Sequence, residues 1–184
     1  MKIKLILSAL LFITVSIVFI AKSQRNEIIE NRTSILSLLR IEQFDLKPLS
    51  SQYSKNSILL DESAFITKFG NPISVVNEFD EMLQSNLKHL KYNGADVWFQ
   101  NNELFRIIFT NNNYCFAMSN DIIIKVGDSI DLVAELFPVA WKDQENPQGQ
   151  VFLNLSYNNV ELDMSLNFEY DINSKTIKSI SVSE

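Results

Sequence analysis

One histidine and one cysteine in 184 residues leave little material for the commonest catalytic constellations. A multi-histidine metal site, a cysteine-paired zinc cluster and an intramolecular disulfide are excluded by count alone. A Ser-His-Asp triad would have only His89 to draw on, and in "LKHLKY" that residue reads as a sheet-face side chain. Cys115, in "NYCFAM", reads as a small apolar strand residue, so the core alone must supply stability. With no cysteine closing the N-terminal apolar run, the lipid attachment of a bacterial lipoprotein is excluded. Glycine and proline are scarce as well, at four each. Phosphate-binding loops are therefore missing, since "FGNP" and "VGDS" hold one glycine apiece, and regular elements are favoured over loops.

Positive charge is also in short supply. Sixteen basic side chains face 22 acidic ones, a net charge of −6. Lys2, Lys4 and Lys22 belong to the first 23 residues, and beyond them 13 basic residues face 22 acidic ones, a net of −9. Such a surface repels a phosphate backbone and anionic headgroups, so nucleic acid is not an expected partner.

What the chain does have begins at its start. Lys2 and Lys4 precede "LILSALLFITVSIVFIA" (Leu5–Ala21), an uncharged run of 17 residues. A basic start and an apolar run are what the secretion machinery recognises, and this run reaches the lower limit for a membrane span. Ala21-Lys22-Ser23 puts small residues at −3 and −1 of a cleavage site, yet no polar region precedes it. Residues 1–23 are thus a signal peptide or a retained signal anchor, with residues 5–21 as an N-terminal hydrophobic helix in the inner membrane if uncleaved. The remainder is expected in the periplasm or on the periplasmic face of that membrane. In a single-membrane organism, cleavage would make it secreted. Residues 24–57 read as a helical and loop connector, with Ile28, Ile29, Ile35, Leu36 and Leu39 on a helical face before "DLKPLSSQYSKNS".

An internal repeat organises the rest. "LKYNG" at Leu90–Gly94 is echoed by "LSYNN" at Leu155–Asn159. Aligning Asp61 with Asp128 places Phe65, Ile66 and Phe69 on Leu132, Val133 and Leu136, the spacing of a short amphipathic helix with aspartate as N-cap. Strand patterns continue both halves. "VELDMSLNFEY" (Val160–Tyr170) alternates throughout, and Asn93-Gly94, Asn101-Asn102 and Asn158-Asn159 read as turns. The expected fold class is α+β: a tandem of two units, 58–120 and 121–184, each a single short helix or a helical hairpin followed by an antiparallel meander.

"VGDSIDLVAELFP" and "FITKFGNP" (Phe65–Pro72) resemble the helix-closing motifs of the BamE (SmpA/OmlA) family and the repeats of β-lactamase inhibitory proteins. The resemblance spans about residues 58–184, but the family's lipidated cysteine is missing here. It implies a non-enzymatic envelope protein that binds other proteins.

Carboxylates cluster at Asp61/Glu62, Glu78/Asp80/Glu81, Asp128/Asp131/Glu135 and Asp143/Glu145 without the pattern of a shielded catalytic pair, and they read as caps and solvated faces. "DQEN" lacks the spacing of a calcium loop. No enzyme activity, cofactor or metal is expected. The candidate partner-binding residues are Trp141, Lys142, Asp143 and Glu145 in the polar stretch "PVAWKDQENPQGQ", together with Trp98. Trp141 has two readings, an aromatic presented to a partner or a lid on the sheet. Alternation puts Trp98 opposite Val97 and Phe99. The expected function is that of an exported cell-envelope scaffold or assembly module acting on another envelope protein. The alternative is a periplasmic inhibitor or immunity protein against an enzyme or toxin.

Overall fold

Alternating side chains determine which face of Ala95–Gln100 and of Gln150–Tyr157 is buried, and the two-residue turns 93–94, 101–102 and 158–159 hold their hairpins in register. The computed structural model describes residues 38–54, 57–143 and 149–183. Eleven strands are found among them: β1 (Leu39–Arg40), β2 (Asp45–Pro48), β3 (Ser74–Asp80), β4 (Ser85–Tyr92), β5 (Ala95–Gln100), β6 (Glu103–Phe109), β7 (Tyr114–Ala117), β8 (Ile123–Lys125), β9 (Gln150–Tyr157), β10 (Val160–Tyr170) and β11 (Ile177–Ser183). Three short helices accompany them: α1 (Glu62–Phe69), α2 (Asp131–Leu136) and α3 (Pro138–Asp143). None of the helices among the described residues is long and apolar enough to cross a membrane. The expected N-terminal hydrophobic helix lies outside the described residues.

Eight strands form one sheet in the order β1-β9-β10-β11-β6-β5-β4-β3, and β2-β7-β8 form a second. All neighbours are antiparallel except β1 on β9. The turn asparagines are used as hairpins require: Asn101 and Asn102 take φ of 51° and 71°, and Asn158 and Asn159 take 50° and 64°. Gly94 has φ of 87°, and a Cβ there would fall within 1.9 Å of the Asn111 side chain, so only glycine fits that corner.

The core lies on one face of the large sheet. Leu90, Val97, Phe99, Ile107, Phe109 and Phe168 point into it. Phe65 and Phe69 of α1 stack on each other at 3.9 Å, and Phe65 meets Phe99 edge-on at 5.5 Å. The small sheet covers the rest through Phe116, which lies 5.2 Å from Phe44 and 5.7 Å from Phe168. Cys115 is buried, with Sγ 3.7 Å from the Lys47 carbonyl oxygen, and burial pushes its thiol up. Residues 39–48, expected within a connector, send Leu39, Ile41, Phe44 and Leu46 into the core. Asp45 and Lys47 are buried there because each has partners: Asp45 binds Lys68 Nζ and accepts from the Ser54 N–H at 2.9 Å, and Lys47 donates to the Ser51 carbonyl at 2.7 Å.

The α+β tandem of two helix-plus-meander units is corrected by this architecture, which is mostly β. The two meanders do not form separate sheets but share the large one, because β6 pairs with β11 and fuses them. The helices are not equivalent either. Asp61 caps α1, accepting from the Ala64 N–H at 2.8 Å, whereas Asp128 folds back on Lys125, accepting from its N–H at 3.0 Å and its Nζ at 3.1 Å. Consequently α2 begins three residues after Asp128 with no side-chain cap. Its buried residue is Val133, while Leu132, aligned with the fully buried Phe65, is 39% exposed. The matched tyrosines diverge as well. Tyr92 is buried, its phenol pushed up to about 12 by that burial, and Tyr157 lies at the surface.

The two helices should therefore respond differently to truncation. Phe65→Ala should lower stability by about 3–5 kcal/mol, as for a buried aromatic, and Leu132→Ala by less than about 1 kcal/mol, as for a surface site. Urea unfolding of the two variants checks this; equal losses would restore the equivalence of the helices.

Candidate interaction surface

The face of the large sheet opposite the core carries an ordered polar cluster. Its origin is cross-strand register: Val76 opposes His89, His89 opposes Trp98, and Trp98 opposes Arg106. Because Leu90 and Val97 take the core side, this row of four stands on the outer face. The His89 and Trp98 rings stack at 4.2 Å with 21° between planes. The Arg106 guanidinium carbon lies 5.4 Å from the Trp98 ring centre, in cation–π range.

His89 is buried and has a carboxylate at each end of its ring. Nδ1 lies 2.7 Å from Glu78 Oε1 and Nε2 lies 2.7 Å from Asp96 Oδ1. A neutral imidazole donates only one hydrogen bond, so donation to both carboxylates takes the imidazolium. The cluster ties β3, β4 and β5 together at side-chain level. The hydrogen bond from His89 holds the Glu78 carboxyl below the usual carboxylate range, against the opposing effect of burial. Arranged in this way, the cluster is a rigid, partly aromatic platform. Among the described residues, no group of three or more His, Cys, Asp or Glu side chains is placed to hold a metal ion.

The expected contact residues fall at separate places. Trp98, half-buried in the stack, is on the face opposite Val97 and Phe99. Trp141 sits on α3, half-buried against the core, with its ring centre 6.3 Å from that of Tyr170. This is the lid geometry. Lys142 beside it is exposed. Glu145 and the side chain of Asp143 lie outside the described residues.

The most exposed apolar surface contains none of the expected contact residues. β3 is the outer strand of the large sheet and is solvent-exposed almost throughout. Ile73 is 75% exposed, Phe79 is 58% exposed and Met82, in the turn to β4, is 95% exposed; Val75, Val76 and Leu83 are also exposed. Contiguous apolar surface on a folded protein marks an interaction site more often than scattered residues do. No turn signature in "DEMLQS" announces the β3–β4 hairpin, although Asp80 accepts from the Met82 and Leu83 N–H groups at 2.9 Å each.

Two outcomes test this geometry. A carboxyl whose folded pKa is lowered adds stability above its unfolded pKa and loses it as pH falls through the lowered value. Glu78 should therefore titrate below its ordinary value by carboxyl NMR. In His89→Gln its midpoint should move upward, shrinking the stability it contributes on the acid side. Trp141→Ala should cost about 1–3 kcal/mol in urea unfolding, because it opens the lid over Tyr170, whereas Lys142→Ala should change stability by no more than about 0.5 kcal/mol.

No family model matches the chain, and no curated protein matches it. Among solved structures it is similar to an extracellular protein containing a SCP domain from Bacillus anthracis, at 8% identity and a TM-score of 0.35 over 73% of this chain and 49% of that one. The chain thus spans about half the length of that protein.

Proposed function

We propose that this chain is exported and that its folded part is a non-enzymatic protein-binding module of the cell envelope, acting in scaffolding or assembly on the periplasmic side. The observation that carries the reading is the exposed apolar edge from Ile73 to Leu83, flanked by the His89–Trp98–Arg106 platform. An edge strand with large side chains in water is a liability unless something binds it. Export is supported by Lys2 and Lys4 before the uncharged run Leu5–Ala21, a pattern that orients the N-terminus inward and carries the downstream chain across. The likeness of "FITKFGNP" to BamE-like repeats points the same way. Trp98 belongs to this platform, whereas Lys142 is exposed at a separate place, on α3, and Trp141 packs against the core there. A second reading, an inhibitor or immunity protein, is favoured by one feature: the net charge of −9 beyond residue 23 suits a basic enzyme or toxin.

An alkaline-phosphatase fusion after Glu30 should be active in cells, and an inactive one sinks the export reading. A photo-crosslinking amino acid at Phe79 should give an adduct with an envelope protein, and the same probe at the exposed turn residue Asn173 should give none. An enzyme or toxin in that adduct selects the inhibitor reading. If the two positions label equally, β3 is not a binding surface.

A further inference from the structure

The two edges of the large sheet are built differently. At one end, β1 is a two-residue strand that pairs parallel with β9, too short to template another chain. At the other end, β3 runs for seven residues in unbroken register with β4, with no bulge. Within Ser74–Asp80 there is no lysine and no proline, the residues that commonly blunt an edge. Among the described residues, no strand lies against the outer side of β3. We propose that a second copy of this chain occupies that side: two β3 strands pair antiparallel about a twofold axis through Asn77, joining two eight-stranded sheets into one. This proposal rests on the protein-binding reading and names the partner of that edge.

The sequence of β3 is self-complementary about Asn77. In that register Val75 of one copy opposes Phe79 of the other, and the twofold axis repeats the pair. Both pairs share one face with Asn77, since directly opposed residues project to the same side. On the other face, Val76 opposes Glu78 and Ser74 opposes Asp80, so no acid meets an acid. The two acids are also engaged within their own copy: Glu78 bonds His89, and Asp80 accepts from the Met82 and Leu83 N–H groups. The two Glu78 side chains are then diagonal neighbours across the axis, each held by its own copy's His89. Continuing the register brings Ile73 to the turn of the other copy, where Met82 and Leu83 project. Ile73, Val75 and Phe79 of each copy, with Met82 and Leu83 of the turn, are all exposed and supply the apolar side chains of this seam.

Cysteine crosslinking of the full chain in detergent-solubilised membranes tests the register. Asn77→Cys should crosslink to itself under mild oxidation, because the axis passes through it. Ser74→Cys should crosslink at least tenfold less, since the two copies of residue 74 lie about 20 Å apart at ~3.3 Å per residue. Val75→Cys mixed with Phe79→Cys should give the hetero-crosslink, and neither should give it alone. Adding Phe79→Lys to Asn77→Cys should cut the product at least tenfold with an unchanged circular-dichroism spectrum, since Phe79 is not among the residues of its own copy's core. Asn77→Cys crosslinking no better than Ser74→Cys overturns the proposal. If that occurs while the Phe79 photo-probe still captures another protein, the second copy is excluded and the binding-module reading stands. If neither product forms, both fall.

Discussion

The pairing of β6 with β11 is the contact on which the remaining architecture depends. Four residue pairs, from Arg106–Ser183 to Phe109–Ile180, join a meander from the first half of the chain to one from the second. Ile107, Phe109, Ile180 and Val182 are all buried at this seam, so main-chain pairing and core packing reinforce one another there. Each meander alone would expose two edges. Joined, they leave one outer edge apiece, and the short β1 pairs with Leu155 and Ser156 of one of these.

The second layer depends on buried charge as much as on apolar packing. Asp45 on β2 and Lys68 on α1 are bonded to each other, and Ser54 donates its N–H to Asp45 while its hydroxyl oxygen accepts from Lys68 Nζ. Burying such charges costs free energy that good geometry offsets only in part. Their structural role is directional. Lys68 faces β2 while Phe65 and Phe69, on the same helix, face the large sheet, so the rotation of α1 about its own axis is fixed. A purely apolar α1 could roll; this one has a single seating.

Much of the large sheet was legible from local chemistry. Strict alternation in Ala95–Gln100 and the asparagine turns gave the hairpins, and the two-residue Asn93-Gly94 turn alone sets His89 against Trp98. Other parts were hidden for physical reasons. β2, "DLKP", has the composition of a loop, because its Asp and Lys are buried only through partners distant in sequence. β3, "SVVNEFD", is exposed on both faces and so never needed alternation. With β3 unseen, Glu78 could not be placed beside His89. The false tandem arose because two aspartates at matching positions do different work, one capping a helix and the other holding a lysine turn. In β10 the apolar alternation runs on past the core, where Val160 stays in water, so pattern alone overstates what is buried there.

Cys115 turns the small sheet into its own reporter. Its thiol is sealed between strands and its ionisation is suppressed, so a thiol reagent can react only during excursions that part β7 from its neighbours. The modification rate of a native population therefore measures how often that layer opens, without denaturant. A small-molecule disulfide supplied in excess would exchange with the exposed thiolate and release one of its own thiols, so opened copies would carry a mixed disulfide and intact copies would not.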